Sequence, residues 1–557
     1  MVYQSRRVVF FIFSVCLLVS CGGGGDNDSS NEESNDGSLQ RIDSIPTDNA
    51  NINARQTRFY FSHLASENSS YNYDLDCTIN VSHITRRDPA DLSISSGNSL
   101  LDHNLGCSDN LNLNSTQNLI ITEETSEPKT STIPFSTDTT LTPNNELITI
   151  IGENSLPLNS IGNVTPASLL EEIIDDLSLP ILTELAINAV IDDIADNDLP
   201  NLFNPITEYD VITQSVRYES IDPNGNKIRT LSGLIALPDI SQLANFSPKD
   251  NIILLNHSTG LTPSDRNITG LWYNLAVILA SRGYLVIAPD NYGLGNTSAF
   301  TETYLQAKRT GINSIDLVTS AINSGRYNDI ISSTSTAKNL AIIGYSQGGH
   351  SAIAAWQEAL HNHQGTLNVS NVYSGAGPYN VYETFKGIVN FVNGSCFLGE
   401  YCRYVNDELV NSYAIERILP PLLSYTNTGL NEIDITDGDE LRSEFAASFL
   451  ANNQEYDQLK LLLQLNSYTN ISNPEASFTD PNMNLMVYHS DYDRLVAPAN
   501  TREFINIING YIGSTNDLSA DCNSNNIQLL FAASDEVGII HGICGAVMID
   551  DILHRLN

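Results

Sequence analysis

The sequence predicts an α/β fold built around a mainly parallel sheet, and three observations carry this prediction. From about residue 205 onwards, short continuous apolar runs alternate with segments of helical periodicity. The apolar run ending at Ile343 leads directly into Gly344-Tyr345-Ser346-Gln347-Gly348, where two glycines permit a sharp strand-to-helix turn. Polar loops containing Asp493 and His541 follow later predicted strands, and parallel strands bring such loops to one edge of the sheet.

The predicted elements follow one another in a regular order. A hairpin is expected first, because Asp222-Pro223-Asn224-Gly225 is a turn sequence between two alternating runs, 216–221 and 230–236. Later strands are predicted at 252–255, 284–288, 340–343, 367–373, 485–488 and 527–531, with helices at 270–282, 312–322, 347–363, 498–508 and 544–556.

The strand–helix rhythm is interrupted over about 378–480, where the chain contains helices and loops but few strands. This interruption predicts a cap inserted into a domain that spans 205–557. Upstream, short alternating runs at 57–61 and 147–151 favour a β-rich accessory region over 51–165. Apolar residues at helical spacing predict a helical connector over 166–204.

The first residues have the character of an export signal. Arg6 and Arg7 precede an apolar segment, Val8 to Val19, that is short for a membrane span. Leu18-Val19-Ser20-Cys21 resembles a bacterial lipobox, which implies a signal peptide over 1–20 and a lipid on Cys21. The polar, glycine-rich stretch 21–50 is then a flexible tether. The resemblance implies an outer-membrane lipoprotein of the bacterial cell envelope; the alternative is an ordinary cleaved signal and a secreted protein.

Composition sets limits on the partners of the folded body. The chain has 557 residues, of which 41% are hydrophobic, and a net charge of −39. It is therefore long and apolar enough to bury a large core. Its strong negative charge argues against binding of nucleic acid, or of anionic membranes through the folded part.

The cysteines fit an oxidising compartment. Apart from Cys16 in the signal and Cys21, an even number remains, and they fall in sequence as three local pairs. We predict disulfides within these pairs, although other pairings are possible. A metal site is disfavoured, because no pair has Cys-x-x-Cys spacing with a histidine partner. The predicted pairs are Cys77–Cys107, Cys396–Cys402 and Cys522–Cys544.

A nucleophilic serine needs a base, and the base needs a carboxylate to orient it. Ser346 is the candidate nucleophile, His541 the candidate base and Asp493 the candidate acid. Asp491 is an alternative acid. The competing histidines have other expected roles: His489 a structural one, and His554 a position on the surface of the last helix.

The oxyanion of the reaction needs two backbone donors. The N–H of Gln347 is one candidate, because the helix begins directly after the serine. The N–H of Thr259, in the loop after the strand at 252–255, is the other. His257 is expected to hold that loop in shape.

Five motifs taken together resemble the α/β-hydrolase superfamily, and especially its branch of secretory-lipase-like esterases and lipases. The resemblance covers about 205–557 and implies that fold, a Ser-His-Asp triad and no cofactor or metal. One departure is Ser258, where the family usually has glycine after the histidine. The motifs are His257-Ser258-Thr259-Gly260, Ala288-Pro289-Asp290-Asn291-Tyr292-Gly293-Leu294-Gly295, Gly344-Tyr345-Ser346-Gln347-Gly348-Gly349, His489-Ser490-Asp491-Tyr492-Asp493 and His541-Gly542.

The expected activity is hydrolysis of carboxylic esters through an acyl-enzyme. The substrate is then a small-molecule ester or a lipid, and the membrane is a partner through the N-terminal lipid alone. Two alternatives remain open. A serine peptidase of the same fold would need an amine-binding site, for which Glu400, Asp407 and Glu408 in the cap are candidates. An inactive hydrolase fold could instead serve as a surface-binding lipoprotein.

Overall fold

The computed structural model describes residues 147–161, 205–241, 243, 246–264, 271–332, 336–396, 399–426, 428, 430–451, 454–471, 473–523 and 538–556. The predicted signal peptide, tether and helical connector lie outside these residues, as does most of the predicted accessory region. Among the residues described, no helix has both the length and the apolar character needed to cross a membrane.

The strands of the structure form one large sheet and one small ribbon. Their bounds are β1 (Ile148–Leu156), β2 (Val211–Ile221), β3 (Lys227–Pro238), β4 (Asn251–Asn256), β5 (Val286–Pro289), β6 (Lys338–Tyr345), β7 (Leu367–Gly375), β8 (Thr436–Asp437), β9 (Glu440–Leu441), β10 (Asp480–Tyr488) and β11 (Ile512–Asp517).

The large sheet has nine strands in the order β1-β2-β3-β5-β4-β6-β7-β10-β11. Strands β1, β2, β3 and β5 pair antiparallel along one side of the sheet. From β5 through to β11, each strand runs parallel to its neighbour. The short strands β8 and β9 pair separately.

Helices follow most of the parallel strands, as crossover connections require. Their bounds are α1 (Leu158–Ile161), α2 (Leu271–Ser281), α3 (Ala307–Asn323), α4 (Gln347–Asn362), α5 (Val381–Val392), α6 (Asp407–Leu409), α7 (Leu419–Ser424), α8 (Glu432–Ile435), α9 (Ser443–Leu450), α10 (Asp457–Leu465), α11 (Pro474–Phe478), α12 (Ala499–Ile508) and α13 (Ile539–Arg555), with a π-helix at Val410–Ile418 and 3₁₀ turns at Gly295–Thr297, Gln454–Tyr456 and Asp521–Asn523.

Both faces of the sheet are buried. Successive side chains of its central strands point to opposite faces, and helices cover each face. In β4, Ile253 and Leu255 join one apolar cluster, whereas Ile252 and Leu254 join the other. Helices α2 and α13 contribute to the first cluster, and α3, α4 and α12 contribute to the second. This two-sided burial explains the continuous apolar runs in the sequence, and the predicted α/β-hydrolase fold is confirmed.

The strand register brings several loops to one edge of the sheet. Asn256 at the end of β4 lies opposite Gly344 of β6, and Tyr345 lies opposite Gly375 at the end of β7. Gly375 is also paired with Tyr488, the last residue of β10. The loops that follow these four strands therefore begin side by side.

Residues 376–479, between β7 and β10, form a helical insertion around a third apolar cluster, which also includes Tyr304 and Leu305. Phe385 packs edge to face against Phe445 and Phe449, which are tilted relative to each other, with ring centroids 5.7 to 6.4 Å apart. Asparagine side chains cap several of its helices: Asn380 accepts a hydrogen bond from the N–H of Glu383, and Asn473 from that of Ala476. The insertion occupies the interval predicted for the cap.

The boundary predicted between the accessory region and the hydrolytic domain differs from the structure. Strand β1 lies within 51–165, yet it pairs antiparallel with β2 from Ile148 to Leu156 and extends the large sheet. Ile148 is completely buried in the same apolar cluster as α3 and α4. Since edge pairing depends on a partner strand, the short alternating run could not indicate by itself which sheet it joins.

Two further differences affect the C-terminal part. Strand β11, with the polar sequence from Ile512 to Asp517, pairs beside β10 and was not predicted. The predicted strand 527–531 lies outside the described residues. The last helix begins at Ile539 instead of Cys544, so His541 lies in its first turn and not in the preceding loop.

Candidate active site

The turn between β6 and α4 holds Ser346 in an unusual conformation. Its φ of 58° and ψ of −125° fall where non-glycine residues are rarely found, at a cost of about 1–3 kcal/mol. The N–H of Ser346 donates to the carbonyl of Gly375 at 2.9 Å, which attaches the turn to the end of β7. Such a turn points a side chain away from the strand at the N-terminus of the helix.

Glycines around Ser346 are required by backbone packing. A Cβ on Gly344 would lie 1.9 Å from the carbonyl oxygen of Gly348. A Cβ on Gly348 would lie 2.3 Å from the carbonyl oxygen of Asn256, and one on Gly349 would lie 2.5 Å from that of Gly375. The glycines therefore let α4 begin directly against the ends of the neighbouring strands.

Asp493 and His541 form a buried pair beside this turn. Nδ1 of His541 lies 2.7 Å from Oδ2 of Asp493. The other carboxylate oxygen accepts the backbone N–H groups of Leu495 and Val496, at 2.8 and 3.0 Å. Both side chains are almost completely buried. A proton on Nδ1 that donates to Asp493 leaves Nε2 free to act as a base.

Nε2 of His541 makes no hydrogen bond to any residue that the structure describes. The Ser346 hydroxyl is therefore not bonded to it in this structure. The two residues are nonetheless linked through Tyr345, which precedes Ser346 and packs against the imidazole of His541 with ring centroids 4.9 Å apart. Serine–histidine hydrogen bonds are often loose in free enzymes and tighten when substrate binds.

The Asp493 carboxylate is held in its charged form. Burial by itself raises the pKa of Asp493. The charge of His541 and hydrogen bonds from His489 and His541 outweigh burial, and they hold the pKa of Asp493 well below its usual value. Asp493 is therefore able to stabilise a positive charge on His541.

Asp491, the alternative acid, does not contact His541 and is bonded to other side chains. Asp491 is exposed, and its carboxylate lies 3.5 Å from the guanidinium of Arg502 and 3.1 Å from the side-chain amide of Asn523. The structure thus brings Asp493, and not Asp491, to the candidate base.

His489 contacts the acid directly, which its predicted structural role did not include. Its Nε2 lies 3.2 Å from Oδ2 of Asp493 and 3.0 Å from the carbonyl oxygen of Val496. Its Nδ1 lies 2.7 Å from the hydroxyl of Thr501 on α12. His489 therefore contacts the same carboxylate oxygen as His541. The four-residue spacing between His489 and Asp493 was the available signal in the sequence.

Tyr345 holds the first turn of α13 in place. Its hydroxyl donates to the carbonyl oxygen of His541 at 2.5 Å. Burial raises the pKa of Tyr345 well above its usual value, so the hydroxyl keeps its proton and remains a donor. Tyr345 thus connects the turn that bears Ser346 with the helix that bears His541.

The loop after β4, which carries Thr259, is joined to the same turn. The hydroxyl of Ser258 donates to the carbonyl oxygen of Tyr345 at 3.0 Å and accepts from the indole of Trp272 at 3.1 Å. Glycine at this position would lack both bonds. Gln347 is the first residue of α4, where backbone N–H groups have no helical acceptor. The two candidate oxyanion donors thus belong to segments that are bonded to each other.

His257 contacts its own loop through one ring nitrogen and the loop after β5 through the other. Nδ1 lies 2.8 Å from the carbonyl oxygen of Ser258, and Nε2 lies 3.1 Å from that of Asp290. The side-chain amide of Asn291 also approaches Nε2, at 3.2 Å. These contacts are those of a residue that holds the loop in shape.

Asp290 is a buried carboxylate that the sequence did not single out individually. It accepts hydrogen bonds from the hydroxyl of Ser232 at 2.5 Å, from the N–H of Ser264 at 2.8 Å and from the hydroxyl of Ser264. Burial raises the pKa of Asp290 in spite of these bonds. It joins β3, the loop after β4 and the loop after β5.

The helical insertion borders the site on the side of the acid. A partly open cleft of about 420 Å³ lies between the insertion and the loop after β10. Asp493 and Leu495 line it from the loop, and Tyr401, Leu409 and Tyr413 line it from the insertion. The candidate acid therefore lies beside a space that faces the insertion.

Two of the predicted cysteine pairs are bonded in the structure. Cys396 joins Cys402 within the insertion, and Cys522 joins Cys544. The second bond attaches the 3₁₀ turn after β11 to α13, one turn beyond His541. Cys77, Cys107 and the predicted lipidation residue Cys21 lie outside the described residues. Within those residues, no group of histidine, cysteine and carboxylate side chains is arranged to hold a metal.

Comparison with known proteins supports the resemblance seen in the motifs. Residues 268–532 match the model of a family described as secretory lipase. This match confirms the predicted resemblance over those residues, and with it the prediction of a carboxylic ester hydrolase. No curated protein matches the chain.

Several solved structures are similar to this chain. A protein from Legionella pneumophila is 19% identical, with a TM-score of 0.45, and the match covers 73% of this chain and 97% of that one. The rice cell wall degrading esterase LipA from Xanthomonas oryzae is 17% identical, with a TM-score of 0.43 and coverages of 70% and 96%. Candida antarctica lipase A is 14% identical, with a TM-score of 0.36 and coverages of 66% and 75%.

His489→Leu is expected to lower kcat for an ester substrate about tenfold, because Asp493 loses a donor that holds its carboxylate against His541. KM should change little, since His489 does not line the cleft. The matched control is His554→Leu, at an exposed position near the end of α13. Equal kcat values for wild type and His489→Leu would show that the contact has no part in positioning the acid.

Removal of the Cys522–Cys544 bond, in a Cys522→Ser/Cys544→Ser variant, should impair activity before it unfolds the sheet, because the bond restrains the helix that carries His541. Activity and far-UV circular dichroism are followed in parallel during heating. Activity should be lost at a temperature where the dichroism is still native. The Cys396→Ser/Cys402→Ser variant should show no such separation. Coincident loss in the first variant would contradict this expectation.

Proposed function

Because residues 268–532 match the secretory-lipase family, we propose that this chain hydrolyses carboxylic esters through Ser346, His541 and Asp493. The observation that carries the proposal is the buried contact of 2.7 Å between His541 and Asp493, located beside the strained turn that presents Ser346. These residues occur in the chain order of α/β-hydrolases.

The proposed reaction begins with proton transfer from the Ser346 hydroxyl to Nε2 of His541 as Oγ attacks the ester carbonyl. Asp493 stabilises the imidazolium that forms. The oxyanion of the tetrahedral intermediate accepts hydrogen bonds from the backbone N–H groups of Gln347 and Thr259. The intermediate collapses, and the leaving alcohol takes the proton from His541. Water, deprotonated by His541, then attacks the acyl-enzyme and releases the carboxylic acid.

One of the cap carboxylates on which the peptidase alternative depends already has a partner. It requires carboxylates in the insertion that are free to bind an amine. Glu400 lines the cleft, but its carboxylate lies 2.5 Å from the guanidinium of Arg502, and both side chains are largely exposed. Its charge is thus already balanced, which favours an ester as substrate.

Ser346→Ala is expected to lower kcat/KM for p-nitrophenyl butanoate about a thousandfold or more, because no other group supplies the nucleophile. A fluorophosphonate probe should label wild type and not Ser346→Ala. Ser298→Ala, at an exposed position, serves as the control and should retain both properties. Wild-type turnover of aminoacyl-anilides with inert esters would instead indicate a peptidase. Folded wild type that resists the probe would indicate a binding protein on an inactive hydrolase fold.

The secretory-lipase match also suggests an extracellular or cell-envelope protein. We propose, from the lipobox resemblance, that Cys21 carries a lipid and that residues 21–50 tether the enzyme to the outer membrane. In a bacterial host, radiolabelled palmitate should be incorporated into wild type and not into Cys21→Ser, which lacks the acylated thiol. Membrane fractionation of both proteins gives a second readout. Soluble, unlabelled wild type would favour an ordinary cleaved signal.

A further inference from the structure

A π-helix in the insertion carries two side chains, each with one buried polar atom that has no hydrogen-bond partner among the described residues. It spans Val410–Ile418, and Tyr413 and Arg417 lie about one turn apart on it. π-Helical segments are rare and are frequently found at functional sites. The conformation alone identifies no ligand. The contacts of Tyr413 and Arg417 provide the further evidence.

Tyr304 connects this pair to the candidate oxyanion loop. The guanidinium of Arg417 lies over the ring of Tyr304, 5.9 Å from its centroid. The ring of Tyr413 packs edge to face against the same ring, with centroids 6.4 Å apart. On the other side, the hydroxyl of Tyr304 lies 3.4 Å from the hydroxyl of Thr259. The π-helix therefore lies one side chain away from the loop proposed to bind the oxyanion.

Tyr413 and Arg417 also contain buried polar atoms without partners. Nε of Arg417 and the hydroxyl of Tyr413 have no partner at normal hydrogen-bond distance in the part of the chain that the structure describes, although the hydroxyl of Tyr413 interacts with Tyr304. Tyr413 is only 3% exposed. No carboxylate among the described residues forms an ion pair with Arg417. Buried polar atoms are normally satisfied, so unpaired donors at one place require an explanation.

The two carboxylates near Tyr304 and Tyr413, those of Glu302 and Asp493, are bonded to other residues. Glu302 accepts a hydrogen bond of 2.5 Å from the side-chain amide of Gln347. Asp493, which lines the same cleft as Tyr413, is bonded to His541 and to two backbone N–H groups. Burial raises the pKa of both Tyr304 and Tyr413, so their hydroxyls remain protonated. The group of side chains thus presents hydroxyl and guanidinium donors, and no described carboxylate forms an ion pair with Arg417.

We propose that Tyr413 and Arg417 form a subsite for a carboxylate on the substrate, so that the enzyme prefers esters whose acyl part bears a free carboxylate. This inference rests on the proposed ester hydrolysis at Ser346. Guanidinium and phenol groups are suited to a carboxylate, which accepts charge-assisted hydrogen bonds from both. A bound carboxylate would give partners to both unpaired donors.

Kinetics on a matched pair of esters test the subsite. The probes are the p-nitrophenyl monoester of adipic acid and p-nitrophenyl hexanoate, which have acyl chains of equal length but differ in the terminal carboxylate. Arg417→Gln is expected to lower the ratio of kcat/KM values, adipate monoester over hexanoate, about tenfold, mainly through KM for the charged ester. Tyr413→Phe should lower the ratio less, and Arg417→Lys should retain part of it.

Arg403→Gln is the matched control, because Arg403 is an exposed arginine of the same insertion that also lies against a tyrosine ring. It should leave the ratio unchanged. An unchanged ratio in Arg417→Gln, or an equal loss on both esters, would overturn the subsite while leaving ester hydrolysis intact.

Binding to Ser346→Ala protein tests the subsite without turnover. By calorimetry, monomethyl adipate should bind more tightly than methyl hexanoate, which has the same chain length but no free carboxylate, and Arg417→Gln in that background should abolish the difference. Equal affinities for the two esters would refute the subsite. Failure of the proposed catalytic function is detected separately, by wild-type protein that neither hydrolyses esters nor reacts with the fluorophosphonate probe.

Discussion

The close backbone packing of the turn at Ser346 is the constraint on which the candidate site depends. Ser346 adopts a positive φ while its N–H is bonded to Gly375, and Gly348 lies against the carbonyl of Asn256 where any side chain would clash. The cost of the strained residue is offset by the buried sheet on either side. Because β4, β6 and β7 end together, this one turn fixes the positions of the serine, the first amides of α4 and the loop that carries Thr259.

A second level of organisation is the buried acid–base pair. Asp493 is removed from water, yet three kinds of donor surround its carboxylate: His541, His489 and backbone N–H groups. Together they outweigh the desolvation that would otherwise favour the neutral acid. Tyr345 connects the two parts of the site, since it directly precedes Ser346 and its hydroxyl donates a hydrogen bond to the carbonyl oxygen of His541. Positioning of the base and of the serine is therefore coupled through one side chain.

The helical insertion supplies most of the side chains that line the cleft beside Asp493. Its phenylalanine-rich core also takes in Tyr304 and Leu305 from the loop before α3, and its surface towards the loop after β10 presents Tyr413. One fold can carry different sites, because function depends on the side chains placed on it. In the proposed reaction, Arg417 contributes to specificity, whereas Ser346, His541 and Asp493 perform the chemistry.

The sequence by itself determined the strand–helix alternation, the turn at Ser346 and the chain order of Ser346, Asp493 and His541, because periodicity, turn glycines and loop positions are local signals. It also indicated the pairs Cys396–Cys402 and Cys522–Cys544. Only the tertiary structure decided that β1 and the polar β11 join the main sheet, that α13 begins before His541, and that His489, Tyr345 and Ser258 support the site. Except for the contact of His489 with Asp493, which spans four residues, these features depend on partners distant in sequence, and no local pattern encodes such a contact.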